Sequence, residues 1–407
     1  MEKSTLEKVA YLRSPITIRE RCRQLYDYVI AGKSQYFACD LTQLERVADY
    51  VIDVMRGEYP DLQIPFHSRW RHFEVGEIPR LTWLNEKLAR LTAIEKATVK
   101  YDLAIISVLL DAGAGKNWHY TEAETQLTFA RSEGLAVASY QMFCQGIFSA
   151  DSNNPLQVDA QKLQSLTEEE LAAGFQINQS NPLVGLSGRL KLLQKLGKVL
   201  LTLPDIFGKE NPRPGNLVNY LLIEERNNQL AAATVFNTVL QGLSDIWAGR
   251  IEVDGVNLGD VWFHSAVTDD GLVPFHKLSQ WLTYSLLEPL EEFGLEITNL
   301  DALTGLAEYR NGGLCLDLGL ITTKNPDILS NSHPVASEII VEWRALTVIL
   351  LDLIAAKVRQ KLNMNASELP LVKVLQGGTW TAGRKIAAEL RKNGVPPIQI
   401  ESDGTVF

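Results

Sequence analysis

Residues 334–362 read PVASEIIVEWRALTVILLDLIAAKVRQKL, and the spacing of their apolar side chains decides the fold class. Ile339, Ile340, Trp343, Leu346, Ile349, Leu350, Leu353 and Ile354 cover most of the circumference of a helix. Such a helix belongs in the middle of a core, not on its surface. Pro334 suits its first turn. Working outward, residues 94–110 (IEKATVKYDLAIISVLL) become almost wholly apolar toward their end and predict a second buried helix, which the glycines of Asp111-Ala-Gly-Ala-Gly115 stop. Capping-box spacing occurs at Thr121/Glu124 and at Thr167/Glu170. Three- and four-residue apolar spacing predicts helices over 133–148, 184–201, 215–224 and 227–247, and a last one over 382–392 before Asn393-Gly394. Strand signals are sparse. Asp254-Gly255 lies between short apolar runs in 251–263, the strongest hairpin signal of the chain, and Asp403-Gly404 marks a second short one.

No repeat and no linker rich in Pro, Gly or Ser divides the chain. The turn-rich stretches 151–157 and 204–215 read as loops. The expectation is a mainly α protein: one large helical domain over residues 1–407 with one or two small β-hairpins, or failing that a boundary near residue 155.

The 407 residues carry 39 Lys and Arg against 49 Asp and Glu, a formal charge of −10. That balance disfavours a nucleic-acid partner, since neutralising phosphates takes clustered cations. With 46% hydrophobic and 22% charged residues the chain is globular in composition. Cys22, Cys39, Cys144 and Cys315 form no CxxC pair, so neither a zinc site nor a disulfide scaffold is expected, only reduced thiols in apolar surroundings. The charged start MEKSTLEKVAYL lacks a signal peptide's apolar core, and the longest apolar stretch, Ala345 to Ala356, carries Asp352 and is too short to span a bilayer. A soluble, cytoplasmic protein without a membrane partner is expected.

Common catalytic signatures are missing. No GxxxxGK[ST], GxGxxG, HExxH or GxSxG occurs, which removes the main support for P-loop, Rossmann, zinc-protease and α/β-hydrolase readings. Four clusters remain. In Phe66-His-Ser-Arg-Trp-Arg-His-Phe73, Arg69 and Arg71 alternate with aromatic residues beside His67 and His72. Extended, the stretch puts both arginines on one side, where they suit a phosphate or carboxylate; otherwise Trp70 and Phe73 are core anchors and the arginines cover them. In 110–118, Asp111 leaves a buried helix where glycines let a ligand approach, and Trp118 follows. A plain turn cap would explain Asp111 equally. In Gly259-Asp-Val-Trp-Phe-His264, Trp262 and His264 would share a strand face and stack on a flat ligand, although a lone His there is more often structural. In 305–313, Glu308, Arg310 and Asn311 precede Gly312-Gly313, which would close a helix and leave Tyr309-Arg310-Asn311 exposed. Weaker signals are Glu338 with Glu342 on one helical face, and 377–383 as an anion-binding helix start or a loop with a capping Thr.

In this order, HSRWRHFEVG (67–76), LLDAGAGKNW (109–118), RPGNLVNYL (213–221), GDVWFHS (259–265), LAEYRNGGL (306–314), LQGGTWTAGR (375–384) and SDGTVF (402–407) resemble a family of bacteria and fungi tied to uracil catabolism, the uracil-regulated or uracil-catabolism proteins. The resemblance spans nearly the whole chain, though the family has long been filed as a domain of unknown function. It implies a place in a route that takes nitrogen from uracil, in which a relative of GTP cyclohydrolase II opens the pyrimidine ring while it is attached to ribose. The step left for this family would be cleavage of the N-glycosidic bond of a ribosyl-urea or its 5′-phosphate, freeing urea.

That chemistry builds positive charge on the sugar, which a buried carboxylate stabilises. Asp111 is the first candidate, with Glu308 second. Arg69, Arg71 and Arg310 are candidates for a 5′-phosphate, Trp118 and Trp262 for the leaving-group pocket, and His72, His264 and Asn311 for further substrate contacts. No metal or other cofactor is required. The implied partners are a nucleoside or nucleotide derivative and, in a complex, the ring-opening enzyme. Two other readings stay open: a lyase or hydrolase of the opened ring, and a non-catalytic sensor or scaffold of the pathway.

Overall fold

A computed structural model of the chain describes residues 4–111, 113–247 and 250–401. Helices dominate, and among the described residues the strands form only two-stranded pairs, so the protein is mainly α. The Cα framework separates into two compact units. Of the described residues, one comprises 4–67, 250–280 and 299–401; the other comprises 68–111, 113–247 and 281–298.

In the first unit the helix Glu338–Leu362 is central, as its all-round apolarity requires. Residues from Ile340 to Leu351 are buried without a break, and Ser337 caps the start by accepting from the amide of Ile340. Pro334 lies outside it, in a strand Ser332–Pro334 that pairs in parallel with Gln399–Glu401, so the expected first turn begins four residues later. Around this helix pack Pro15–Ile30, Leu44–Glu58 and Tyr309–Asp317. The hairpin at Asp254-Gly255 forms with two residues on each side, Glu252–Val253 against Val256–Asn257. Val261–Phe263 instead pairs with Leu272–Pro274. The second expected hairpin, around Asp403-Gly404, lies outside the described residues.

Two glycine pairs of this unit depart from expectation. Gly312 and Gly313 do not close a helix; they sit inside Tyr309–Asp317, and a Cβ on Gly312 would meet Trp343 and Thr347 of the central helix. Gly377 and Gly378 form no loop and no helix start. They lie in a π-turn, Leu375–Thr379, joining Leu371–Val374 to Trp380–Leu390, because Ile64 packs on one glycine and Val51 with Met55 on the other.

In the second unit the helix Ala93–Leu109 is the core element, buried from Ala97 onward and capped by a Thr92/Glu95 box. Arg131–Cys144 and Arg69–Phe73 pack on it and on each other, while Leu186–Thr202 packs on Ala160–Ser165. The Thr167/Glu170 capping box forms. At Thr121/Glu124 no helix follows: Thr121 ends a strand, His119–Thr121, paired with Thr128–Ala130. The expected helix 227–247 begins as a strand, Gln229–Ala231, bound to Glu296–Thr298, and turns helical at Ala232.

Cys22 and Cys315 are buried and unpaired, and burial pushes their thiols well above the usual range. Among the described residues no helix is long and apolar enough to cross a membrane.

Candidate functional site

The stretch 69–73 is a short helix, not a strand, so Arg69 and Arg71 do not share a side. Arg69 points into the second unit and is fully buried. Its backbone amide donates to Ser285 Oγ at 2.9 Å, its Nε to Ser107 Oγ at 2.7 Å, and its Nη1 to Asp111 Oδ2 at 2.9 Å. Nη2 is buried with no hydrogen-bond partner among the described residues. Arg71 turns to Glu288, at 2.8 Å, and more loosely to Glu74 at 3.8 Å. Trp70 donates Nε1 to the carbonyl of Ser285, and Phe73 is fully buried; both are core anchors.

Asp111 follows the end of the core helix, and its side chain is only 8% exposed. Ser132 Oγ lies 2.6 and 2.5 Å from its two oxygens, and Arg69 holds Oδ2. Burial pulls the Arg69 guanidinium below its ordinary pKa, opposed by Asp111 and Glu133. Arg189 donates Nε to the carbonyl of Leu110 beside the same carboxylate, and burial pulls it down to about 10. His72 is pushed down to about 4, first by burial and then by the Arg69 charge. Its ring stands edge-on to Trp281 at 5.6 Å, and the Arg69 guanidinium lies 5.6 Å from the Trp281 ring centre. Trp281 Nε1 is also buried without a hydrogen-bond partner. The arrangement places a carboxylate, a guanidinium and an indole in one buried neighbourhood, where such interactions gain strength.

Trp118 belongs to this unit but is a core residue: it is 1% exposed, packs edge-on against Phe175 and donates Nε1 to the Phe175 carbonyl at 3.0 Å. Two further buried ion pairs stiffen the unit. Arg80 binds Glu122 through two bonds of 2.6 Å, and Asp102 takes Arg213 together with the amides of Val158 and Gly215. Burial pushes Asp102 up, against the pull of Arg213.

The other candidates belong to the first unit. Glu308 caps the helix Tyr309–Asp317, its oxygens accepting from the amides of Arg310 and Asn311 at 2.7 and 2.6 Å. Burial pushes its pKa up, partly offset by those two amides. Asn311 is fully buried, not exposed, and Arg310 donates to the carbonyl of Gly394 at 2.6 Å. Trp262 donates Nε1 to Asp260 at 2.6 Å, and Asp260 holds Arg344 through two bonds of 2.8 Å. His264 and Glu342 are both buried, 3.5 Å apart, with Ser34 on the second Glu342 oxygen at 2.5 Å. Among the described residues no group of three or more His, Cys, Asp or Glu side chains is placed to hold a metal ion.

The structure therefore gathers Arg69, His72 and Asp111, and separately gathers Trp262 with Asp260, His264 with Glu342, and Glu308 with Arg310 and Asn311. Ser107, Ser132, Glu133 and Trp281 complete the first group. Sequence reasoning missed them because serines and a tryptophan inside helical patterns carry no local sign of a distant arginine.

The elements described define a helical protein with a buried arginine–carboxylate centre, and its sequence matches a family model over residues 11–407. The chain belongs to that family, described as "Protein of unknown function (DUF1688)". It is 41% identical over 437 residues to "Uracil catabolism protein 4" of Lachancea kluyveri, covering 98% of this chain and 99% of that protein. It is 40% identical over 409 residues to "Protein urg3" of Schizosaccharomyces pombe, with 98% and 99% covered.

Proposed function

We propose that this chain acts in uracil catabolism as an N-glycosidase, releasing urea or a related base fragment from a ribosyl-urea or its 5′-phosphate. The name of the Lachancea relative supports the pathway. The observation that supports the chemistry is the Asp111 carboxylate, nearly buried and oriented by Ser132 and Arg69. As the bond between C1′ and nitrogen lengthens, positive charge grows on the sugar, and a fixed carboxylate in a dry site stabilises it. Water supplies the oxygen that ends on C1′, and the departing nitrogen keeps the bonding electrons and takes a proton. Asp111 is the electrostatic stabiliser or the base that aligns water. Glu308 serves as the cap of the helix Tyr309–Asp317, accepting from two backbone amides, whereas Asp111 lies with Arg69 and His72 and carries the chemistry.

The test is incubation of the purified protein with uridine, UMP and the products a ring-opening enzyme makes from each, following urea and free ribose or ribose phosphate. Joint release of urea and sugar is expected, and the preferred substrate tells whether a phosphate is recognised. Asp111→Asn should still bind substrate and lose turnover by several orders of magnitude. Saturable binding without turnover would replace the enzyme with a sensor or scaffold. Loss of the ring-opened compound with the glycosidic bond intact would make the protein a lyase or hydrolase of the opened ring.

A further inference from the structure

Buried N–H groups without partners are rare in folded proteins, because each one left unmade forfeits its hydration. Among the described residues, the second unit holds two of them on side chains that face each other, Arg69 Nη2 and Trp281 Nε1, on residues 0% and 6% exposed. The guanidinium carbon lies 5.6 Å from the centre of the indole ring, which puts the two side chains in one neighbourhood. Both residues are otherwise held in place. Arg69 is fixed by Ser107, Asp111 and Ser285, and Trp281 lies against the edge-on His72 ring. We propose that Arg69 Nη2 and Trp281 Nε1 are a donor pair for one neutral carbonyl oxygen of a ligand, a urea or amide, and that Trp281 is a specificity residue of this site.

Charge separates this ligand from a phosphate. Arg69 already faces Asp111 at 2.9 Å, and Glu133 adds a second negative charge to the field at Arg69 and His72. A phosphate dianion would meet two carboxylates and one guanidinium whose charge is already matched, and desolvating it there is unfavourable. A carbonyl oxygen needs only the two donors, and the N–H groups of a urea or amide complement the carboxylate beside them. Naming that carbonyl as the urea of the leaving group rests on the N-glycosidase reading. The pairing of donors with a neutral acceptor does not.

The experiment is indole 15N NMR on the full chain, titrated with millimolar urea and separately with inorganic phosphate, the Trp281 resonance being assigned with Trp281→Phe. That variant keeps an aromatic ring beside Arg69 and His72 and removes the donor together with part of the indole. Saturable movement of the Trp281 N–H signal with urea, and none with phosphate, is expected. Loss of one hydrogen bond in Trp281→Phe should weaken urea binding about tenfold and raise KM for the ribosyl-urea by a similar factor, with kcat less affected. A Trp281 signal unmoved by urea, a stronger response to phosphate, or unchanged affinity in Trp281→Phe would each overturn the proposal. Turnover of the ribosyl-urea with unaltered KM in Trp281→Phe would sink this pairing and leave the glycosidase standing. Urea bound at Trp281 without turnover would do the reverse.

Discussion

Replacing Asp111 by Asn tests whether the buried pair holds the site together, independently of any turnover. The substitution keeps an oxygen for Ser132 and Arg69 and deletes the charge. Arg69 and Asp111 meet at 2.9 Å, and at an effective dielectric constant near 20 their attraction is about 6 kcal/mol. The asparagine dipole and local relaxation recover part of this, so the net destabilisation should be about 3–5 kcal/mol, the range for a buried pair broken on one side. The partners are not equivalent. Arg69 is fully buried, whereas Asp111 is 8% exposed and retains Ser132. Arg69→Met should therefore cost less than Asp111→Asn, since the charge it strands is the better solvated. The double variant should cost less than the sum of the two, with a coupling of at least about 2 kcal/mol. Scanning calorimetry at neutral pH would read Asp111→Asn as a fall in Tm of roughly 5 °C. If the two single effects add within about 0.5 kcal/mol, the pair is not a coupled unit, and the argument from buried charge to function fails with it.

Three further outcomes follow from other contacts. Burial and the Arg69 charge hold folded His72 down to about 4. An unfolded histidine titrates near 6.5, so between those values the unfolded chain binds a proton that the folded one does not, and stability falls as pH drops through that window by about 3 kcal/mol. Subtracting the pH–stability curve of His72→Phe from that of the parent should isolate this slope; parallel curves would refute it. In the first unit, burial pushes Asp260 up, but the charge and hydrogen bonds of Arg344 outweigh it and hold the carboxyl well below the usual range. Its contribution is therefore present above about pH 4 and lost in stronger acid, and Arg344→Gln should cost about 3–5 kcal/mol at pH 7 in thermal unfolding. Finally, a Cβ on Gly383 would run into the Arg310 carbonyl. Gly383→Ala should lower Tm despite the better helix propensity of Ala, whereas an unchanged or raised Tm would mean that the helix Trp380–Leu390 moves away without cost.

Where a segment's apolar pattern and its own ends determine its structure, the sequence was sufficient. The helical cores within 94–110 and 334–362 and the box at Thr167/Glu170 are such cases, since the apolar pattern and the capping residues lie in or beside the segment. Segments shaped by distant partners depart from their local pattern. Alternation in 66–73 suggests a strand, yet Ser107, Asp111 and Ser285 draw Arg69 inward and the segment folds as one helical turn. Gly-Gly at 312–313 and at 377–378 suggests breaks. In both places the glycines instead leave room for a neighbour, Trp343 in one case and Ile64, Val51 and Met55 in the other, and no single-chain pattern records a close approach. Thr121/Glu124 had the spacing of a capping box without the following apolar face, and pairing with Thr128–Ala130 prevailed.

The same distinction bears on the candidate site. Asp111 was legible because a carboxylate at the end of an apolar helix calls for a partner, but the identity of that partner and the state of its remaining atoms were not. A purely structural arginine would be expected to use all its donors once fully buried, because each lost hydrogen bond to water must be replaced. Arg80 illustrates this in the same unit: it is equally buried, with Nε and Nη2 on Glu122 and Nη1 on the carbonyls of Phe73 and Val75. Arg69 leaves Nη2 without a partner among the described residues, on a guanidinium 5.6 Å from the centre of the Trp281 ring, whose Nε1 is likewise unmatched. Two arginines of equal burial thus differ in one respect, and that respect is what a ligand would use. If Arg80→Lys and Arg69→Lys are compared, loss of the Arg80 network should appear in stability alone, whereas loss of Arg69 should appear in ligand affinity as well. Equal losses of affinity in the two variants would make the open donors of Arg69 a packing accident.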